Sequence, residues 1–162
     1  MDAKIDRTGE SKGRLTIVIP ALNEEEGITK TIASVPKTEI RRIGYETQVL
    51  VVDNGSTDLT AKRALEAGAD VVSEPVRGYG KALKTGFYAA GGDIIVTADA
   101  DATYPLEAVP SLLDLFDRDG LDFLTTNRFA DLDKGTMSTL NMVGNTILAM
   151  ATKVLFRLDM RD

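Results

Sequence analysis

Residues 47–58 read Thr-Gln-Val-Leu-Val-Val-Asp-Asn-Gly-Ser-Thr-Asp, and this stretch decides the fold class. Its first half is apolar and β-branched, which is typical of a strand buried on both faces in a parallel sheet. Its second half holds Asn54-Gly55, a tight-turn pair, and then Asp58, which is suited to cap a following helix. Turn formation and capping leave Asp53 unexplained, because its carboxylate stands where the predicted strand ends.

The same alternation recurs along the chain. Short apolar runs predict five strands, over residues 15–20, 47–53, 70–73, 93–99 and 122–126. Between them, apolar residues recur at helical spacing, and strands that alternate with helices in this way form βαβ units. We therefore predict an α/β fold with a mostly parallel central sheet and helices on both faces.

The composition fits one domain and removes several classes of chemistry. A chain of 162 residues, 43% of them hydrophobic, can bury a sizeable core without disulfides. It contains no cysteine and no histidine, which excludes a thiol nucleophile, a Ser–His mechanism and histidine-ligated metals. The 19 Lys and Arg residues against 25 Asp and Glu residues give a net charge of −6, which argues against nucleic acid as a partner.

Both ends of the chain differ from the alternating middle. Residues 1–13 are polar and lack a signal-peptide pattern, so we expect a disordered tail on a cytoplasmic protein, followed by one domain over 14–162. Apolar residues recur at helical spacing over 138–158. This stretch predicts a helix that packs in the core or, alternatively, rests on a membrane surface. No strand follows it before Asp162, so we expect a C-terminally truncated protein.

Polar clusters follow four of the predicted strands. In an open parallel sheet the carboxyl ends of the strands share one edge, and ligands bind there. The clusters are therefore expected to form one site; they cover residues 20–25, 53–58, 74–81 and 99–105. The first cluster lacks the G-x-G-x-x-G pattern of dinucleotide-binding folds, and taken alone its Asn23 also fits the start of a helix.

The third cluster contains Arg77-Gly-Tyr-Gly-Lys81 and is similar to a phosphate-binding loop. Glycines expose backbone N–H groups, and a predicted helix begins just behind them. Pro75 and Ala82 break the G-x-x-x-x-G-K-[ST] register, which excludes a Walker loop. An ordinary loop remains the alternative interpretation.

Asp99 and Asp101 give the strongest single signal. Two carboxylates at the exit of a buried strand form a negative site that is costly unless a cation fills it. Oxygen ligands favour Mg²⁺ or Mn²⁺ that is shared with substrate phosphates. An EF-hand is excluded, because Tyr104 and Pro110 stand where that motif needs Gly and Glu. Two solvated loop aspartates are the alternative interpretation.

In their order and spacing, the four clusters resemble the family 2 glycosyltransferases, and within them the dolichyl- or polyprenyl-phosphate sugar synthases. The matching motifs are Pro20-x-x-Asn-Glu24, Asp53-x-Gly-Ser-x-Asp58, Arg77-Gly-x-Gly-Lys81 and Asp99-x-Asp101, and Thr126-Asn-Arg-Phe129 is similar to the family's Gly-Ser-Arg-[FY] segment. The resemblance covers residues 15–162 and implies the GT-A fold, a Rossmann-like sheet that binds a nucleotide sugar. Thr103 departs from the pattern, since many lipid-phosphate sugar synthases have Gln at this position.

The resemblance also implies roles for single residues. Asp99 and Asp101 would hold Mg²⁺ or Mn²⁺ on the diphosphate, Asp101 and Arg128 would act in catalysis, and Asp162 would be the candidate general base. The donor-binding residues would be Pro20, Ala21, Asn23, Glu24, Asp53, Gly55, Ser56, Arg77, Gly78, Lys81, Asp99 and Ala100. The implied reaction is inverting transfer of a hexose from a UDP- or GDP-linked sugar to a lipid phosphate. Because acceptor-site elements are expected behind Asp162, donor binding is expected to exceed turnover.

Two alternatives stay open. Residues 94–103 also fit the strand-D-x-D-x-T motif of haloacid-dehalogenase-type phosphatases, with Asp99 as nucleophile and Asp101 as acid/base. That interpretation needs a later acidic pair at a strand end, and it leaves the other three polar clusters unexplained. The second alternative is a nucleotide-binding module that lacks catalysis.

Overall fold

The computed structural model describes residues 11–126, and the chain divides into two units, residues 1–119 and 120–162. In the second unit, the described residues 120–126 form no helix and no strand. The first unit contains, in chain order, β1 (Gly13–Ala21), α1 (Ile28–Ala33), α2 (Lys37–Arg42), β2 (Tyr45–Asp53), α3 (Thr60–Glu66), β3 (Asp70–Ser73), α4 (Tyr79–Ala89), β4 (Ile94–Thr97) and α5 (Val109–Asp119), with a 3₁₀ turn over Leu106–Ala108 before α5.

The four strands form one parallel sheet in the order β3-β2-β1-β4. The central strands β1 and β2 pair in register, from Gly13 opposite Tyr45 to Ala21 opposite Asp53. Both strands are buried over most of their length, as the β-branched runs predict. The predicted α/β fold with a parallel sheet is confirmed.

Apolar side chains pack on both faces of this sheet, because successive side chains of a strand point to opposite faces. On one face, Ile17, Ile19 and Val51 belong to a core that includes residues of α1, α2, α3 and α5. On the other face, Val18, Leu50 and Val52 pack against Ala82 of α4. Helices therefore cover both faces, as expected from the βαβ pattern.

Two strand predictions need correction. Residues 122–126 form no strand: a strand requires hydrogen bonds to a neighbour, the backbone of these residues forms no ladder, and Phe123 is 81% exposed. β4 is shorter than the predicted 93–99 and is half-exposed rather than buried. Among the described residues β4 pairs on one side, with β1, and this position leaves Ile95 39% exposed.

The first strand begins at Gly13, one residue before the predicted domain boundary at residue 14. The backbone N–H of Lys12 donates to the Gly44 carbonyl at 2.7 Å, and its Nζ lies 2.8 Å from the Asp117 carboxylate. These contacts fix residues that composition alone assigned to a disordered tail. Within residues 11–126, no helix combines the length and apolar character needed to cross a bilayer. The predicted helix 138–158 lies outside the described residues.

Candidate functional site

Four loops lie at the carboxyl edge of the sheet, one behind each strand. We call them the first loop (residues 22–27, after β1), the second loop (54–59, after β2), the third loop (74–78, after β3) and the acidic loop (98–105, after β4). The first loop contacts the second loop directly, and the second loop contacts the third loop directly. The acidic loop contacts α4, the helix behind the third loop, and α1, the helix behind the first loop. The structure thus brings the four predicted polar clusters together.

Asn23 ties the first loop to the second. Its backbone is left-handed, with φ of 57°, a conformation that Asn tolerates better than most residues. Its Oδ1 accepts the N–H of Thr57 at 2.8 Å, and its own N–H donates to the Ser56 hydroxyl at 3.0 Å. The helix-start interpretation of Asn23 is wrong, because α1 begins at Ile28 with Gly27 as its N-cap.

A second set of contacts strengthens the same junction. Arg63 donates to the Glu25 carbonyl at 2.6 Å and also lies 3.5 Å from the Glu25 carboxylate. Asp58 accepts the N–H groups of Glu25 and Thr60 at 3.2 and 3.0 Å. The hydroxyl of Thr60 also donates to Asp58 and holds the pKa of that carboxyl below its usual range. Asp58 therefore serves to fix the two loops.

Asn54 joins the second loop to the third, a role that the sequence analysis missed. This side chain is buried, and its Nδ2 donates to the carbonyls of Glu74 and Val76, both at 2.9 Å. Its Oδ1 accepts the N–H of Gly78 at 2.7 Å. A tight-turn signal explains why Asn stands here, but it gives no hint that the amide holds a loop from another strand.

Charged side chains of both signs lie in or next to the second and third loops. Asp53, at the end of β2, accepts the N–H of Ser56 at 3.1 Å through one carboxylate oxygen. Arg77 is exposed and donates to the Gly55 carbonyl at 3.4 Å. Lys81 is exposed in the first turn of α4. Two cations at the start of an eleven-residue helix suit an anionic ligand.

Pro20 separates the acidic loop from β1. The Val18 carbonyl accepts the N–H of Ala98 at 3.1 Å, so Pro20, two residues further on, also faces the β4 side. Proline has no N–H to continue the ladder. The β1–β4 pairing ends at Val18 opposite Thr97, and the chain carrying Asp99 is released from the sheet at this point.

Each carboxylate of the Asp99-x-Asp101 pair has one oxygen fixed by a hydroxyl group. Asp99 Oδ1 accepts a hydrogen bond from the Tyr79 hydroxyl at 3.0 Å. Asp101 Oδ1 accepts the N–H of Thr103 at 3.0 Å and the hydroxyl of Thr103 at 2.7 Å. Thr103, which departs from the family pattern, therefore orients Asp101 in this chain. Ala102 between them adopts a left-handed backbone, with φ of 62°.

The acidic loop packs against α1 through two residues that the sequence analysis missed. The buried hydroxyl of Thr31 donates to the Ala100 carbonyl at 2.9 Å. Gly27 approaches so closely that an added Cβ would lie 2.7 Å from the Ala100 carbonyl oxygen and 3.1 Å from Asp101 Cα. A Thr in the apolar stripe of a helix and a Gly just before that helix are the available sequence signals.

The donor set of the acidic loop fits a hydrated divalent cation that is shared with a ligand. Within residues 11–126, no three or more Asp, Glu, His or Cys side chains form a group that could hold a metal by themselves. Asp99 and Asp101 therefore supply at most two carboxylates. Mg²⁺ is typically held in this way, by one or two carboxylates together with substrate phosphates and water.

The predicted catalytic residues Arg128 and Asp162 lie outside the described residues.

Comparisons with known proteins agree with this geometry. The family model described as Glycosyl transferase family 2 matches residues 16–155. An uncharacterised glycosyltransferase of Mycobacterium tuberculosis is 41% identical over 114 residues, which cover 70% of this chain and 48% of that protein. The dolichyl-phosphate hexose transferase of Haloferax volcanii is 34% identical over 150 residues, which cover 91% of this chain and 62% of that protein. The chain spans less than two thirds of either relative.

A solved structure extends the likeness to three dimensions. The glucosyl-3-phosphoglycerate synthase of Mycobacterium tuberculosis, crystallised in complex with Mn²⁺, uridine diphosphate and glucosyl-3-phosphoglycerate, matches with a TM-score of 0.53 and 39% sequence identity. The match covers 64% of this chain and 39% of that one. The expected GT-A fold is confirmed, and from its motifs, its parallel sheet and the match over residues 16–155, this chain belongs to glycosyltransferase family 2.

Proposed function

We propose that this chain forms the donor-nucleotide half of an inverting hexosyltransferase that uses Mg²⁺ or Mn²⁺ and transfers the sugar to a lipid phosphate. The observation that carries the proposal is the contact of the acidic loop with α1 and with the start of α4. Tyr79, which donates to Asp99, stands between Arg77 and Lys81 in the sequence, and this supports a site where the two carboxylates and the two cations bind one ligand. Membership of glycosyltransferase family 2 replaces the phosphatase interpretation of Asp99 and Asp101.

The first three loops are proposed to bind the nucleotide. Asp53 keeps one carboxylate oxygen that accepts no hydrogen bond from residues 11–126, and this oxygen is suited to accept a ring N–H of the base. The residues at or just behind the carboxyl ends of β1 and β2 are proposed to contact the nucleotide as well: Pro20, Ala21, Asn23, Glu24, Gly55 and Ser56. Arg77, Gly78 and Lys81 stand at the start of α4, where a diphosphate gains from both side-chain charge and the helix terminus.

The acidic loop is proposed to act on the diphosphate through the divalent cation, with Ala100 beside the two aspartates. A bound cation would neutralise the negative charge that develops on the nucleoside diphosphate as it leaves. Asp101 and Asp99 hold and orient it, and Thr103 and Tyr79 fix their carboxylates. With no cation present, these two carboxylates oppose the approach of an anionic diphosphate.

A lipid phosphate is the proposed acceptor because the Haloferax volcanii relative is named as a dolichyl-phosphate hexose transferase. A phosphate is already anionic at neutral pH, so its attack on the sugar needs little general-base help. For acceptor chemistry we propose Arg128 as a phosphate contact and residues 138–158 as a contact with the cytoplasmic membrane face. Asp162 is proposed as the base that a sugar-hydroxyl acceptor would need.

Calorimetry of UDP binding with and without Mn²⁺ tests the proposal. Two carboxylates alone hold a cation weakly, so the proposal predicts that Mn²⁺ and UDP each raise the affinity of the other by the same factor, about tenfold or more. The Asp101→Asn variant is expected to lose this mutual increase. Metal-free UDP binding should not weaken in the variant, because the nucleotide loops are unchanged.

Equal UDP affinity with and without Mn²⁺ in the wild-type chain would contradict the metal-dependent donor site. Transfer of hexose from a UDP- or GDP-linked sugar to polyprenyl phosphate tests the acceptor. Mutual Mn²⁺ and UDP binding without any transfer would show that residues 1–162 act as a nucleotide-binding module only.

A further inference from the structure

Tyr79 is the first residue of α4 and is the point at which the third-loop region meets the acidic loop. Its hydroxyl donates a hydrogen bond to Asp99 Oδ1 at 3.0 Å, across twenty residues of sequence. We propose that Tyr79 is a positioning residue that orients the Asp99 carboxylate for a nucleotide-bound divalent cation. This inference rests on the proposed function, and it adds a residue that the sequence motifs treat as variable.

The backbone of Tyr79 is held firmly by its neighbours. Gly78, with φ of 143°, donates its N–H to Asn54 Oδ1 at 2.7 Å. The Gly78 carbonyl accepts the N–H groups of Lys81 and Ala82 at 2.9 and 3.0 Å, which start the helix. Because buried Asn54 fixes Gly78, the position from which the Tyr79 side chain leaves the helix is also fixed.

The Tyr79 ring is not a core side chain. It is 59% exposed, so burial of its apolar surface gives little stability to the fold. The contact with Asp99 therefore depends on the hydroxyl, and this separates a positioning role from a packing role. Removing the hydroxyl alone tests the inference.

With this contact, each of the two carboxylates has one oxygen that accepts a hydrogen bond from a hydroxyl group. Thr103 holds one oxygen of Asp101 from within the acidic loop, and Tyr79 holds one oxygen of Asp99 from across the site. A ligand carboxylate that is already oriented by a hydrogen bond loses less side-chain freedom when it binds a cation. Without the hydroxyl, Asp99 would have to be ordered at the moment of binding.

The experiment compares Tyr79→Phe with Tyr88→Phe. Tyr88 lies on the same helix, is 81% exposed and has Lys84 Nζ 5.9 Å from its ring centroid, so it serves as a matched loss of a hydroxyl group. We expect Tyr79→Phe to bind UDP in the presence of Mn²⁺ about three- to tenfold more weakly than the wild type. Its metal-free UDP affinity should stay within about twofold of the wild type. Tyr88→Phe should match the wild type in both measurements.

A double-mutant cycle with Asp99→Asn connects the effect to Asp99. The two changes should not add: the double variant is expected to lose no more Mn²⁺-dependent affinity than Asp99→Asn alone. Thermal unfolding of Tyr79→Phe should coincide with that of Tyr88→Phe, since the ring is retained.

The inference is overturned if Tyr79→Phe keeps the full Mn²⁺-dependent increase while Asp101→Asn loses it, and the proposed function then stands. It is also overturned if Tyr79→Phe weakens metal-free and Mn²⁺-dependent UDP binding equally, or if the two changes in the cycle simply add. If the wild-type chain shows no Mn²⁺-dependent increase, the inference and the proposed function fail together.

Discussion

Asn54 holds the third loop in place, which is more than its position in a tight turn suggests. Its amide makes three hydrogen bonds to the third-loop region while it is itself buried, and two of these need an N–H donor. Aspartate has nearly the same shape but no donor when ionised. The position therefore depends on the amide group and not on side-chain size.

Asn54→Asp is expected to destabilise the chain by about 3 kcal/mol at pH 7, because a buried carboxylate would face the carbonyls of Glu74 and Val76. The folded state would raise the pKa of this new carboxyl, so the destabilisation is full above that pKa and shrinks as the pH falls through it. Denaturant unfolding of variant and wild type at pH 7 and pH 4 measures the difference. An equal loss at both pH values would contradict the account of Asn54.

At the scale of elements, the approach of α4 to the sheet depends on Gly86. A Cβ at this position would collide with the Val18 side chain and lie 3.0 Å from that of Val52. Val18 and Val52 belong to the central strands β1 and β2, so neither can move aside without disturbing the sheet.

Gly86→Ala is expected to lower the free energy of unfolding by about 1–3 kcal/mol, although Ala favours helix formation. Gly80→Ala on the same helix is the control, because an added Cβ there meets no other part of residues 11–126 within 4 Å. Gly80→Ala should change the free energy of unfolding by less than about 0.5 kcal/mol, or should raise it. Equal losses in the two variants, measured by thermal unfolding, would show that close packing of α4 is not the cause.

The sequence predicts the strands and helices better than it predicts the contacts between them. β1 and β2 were predictable because buried parallel strands read as β-branched runs, and parallel topology then places the loops behind the strands at one edge. Residues 122–126 show the limit, since a short apolar run becomes a strand only where a neighbour pairs with it. The loop contacts were out of reach for the same reason: Asn23 meets Thr57 and Tyr79 meets Asp99 through the completed fold.

At the scale of the whole first unit, Asp117 of α5 binds both Tyr45, at the start of β2, and Lys12, just before β1. The Tyr45 hydroxyl donates to Asp117 Oδ1 at 2.6 Å, and Lys12 lies 2.8 Å from the other oxygen of that carboxylate. Burial, together with the hydrogen bond to Asp117, raises the pKa of Tyr45 to about 12. Burial favours a higher pKa for Asp117, but the bonds from Lys12 and Tyr45 outweigh it and lower that pKa.

Stability is therefore expected to fall as the pH rises from 10 through about 12. The raised pKa means that the neutral phenol stabilises the folded state below pH 10, the ordinary tyrosine value, and that this contribution disappears as Tyr45 ionises. Tyr45→Phe should lack this part of the pH dependence and should lose the step of tyrosinate absorbance near pH 12. An unchanged absorbance titration in Tyr45→Phe would contradict the assignment.

The central claim is that Asp99 and Asp101 hold a divalent cation on the diphosphate of a nucleotide. Anomalous diffraction from crystals grown with Mn²⁺ and UDP tests it most directly. We predict a manganese peak within coordination distance of Asp101 and of the UDP diphosphate, beside Asp99 at the carboxyl edge of the sheet. Manganese bound only away from the acidic loop, or UDP bound away from the four loops, would contradict the account.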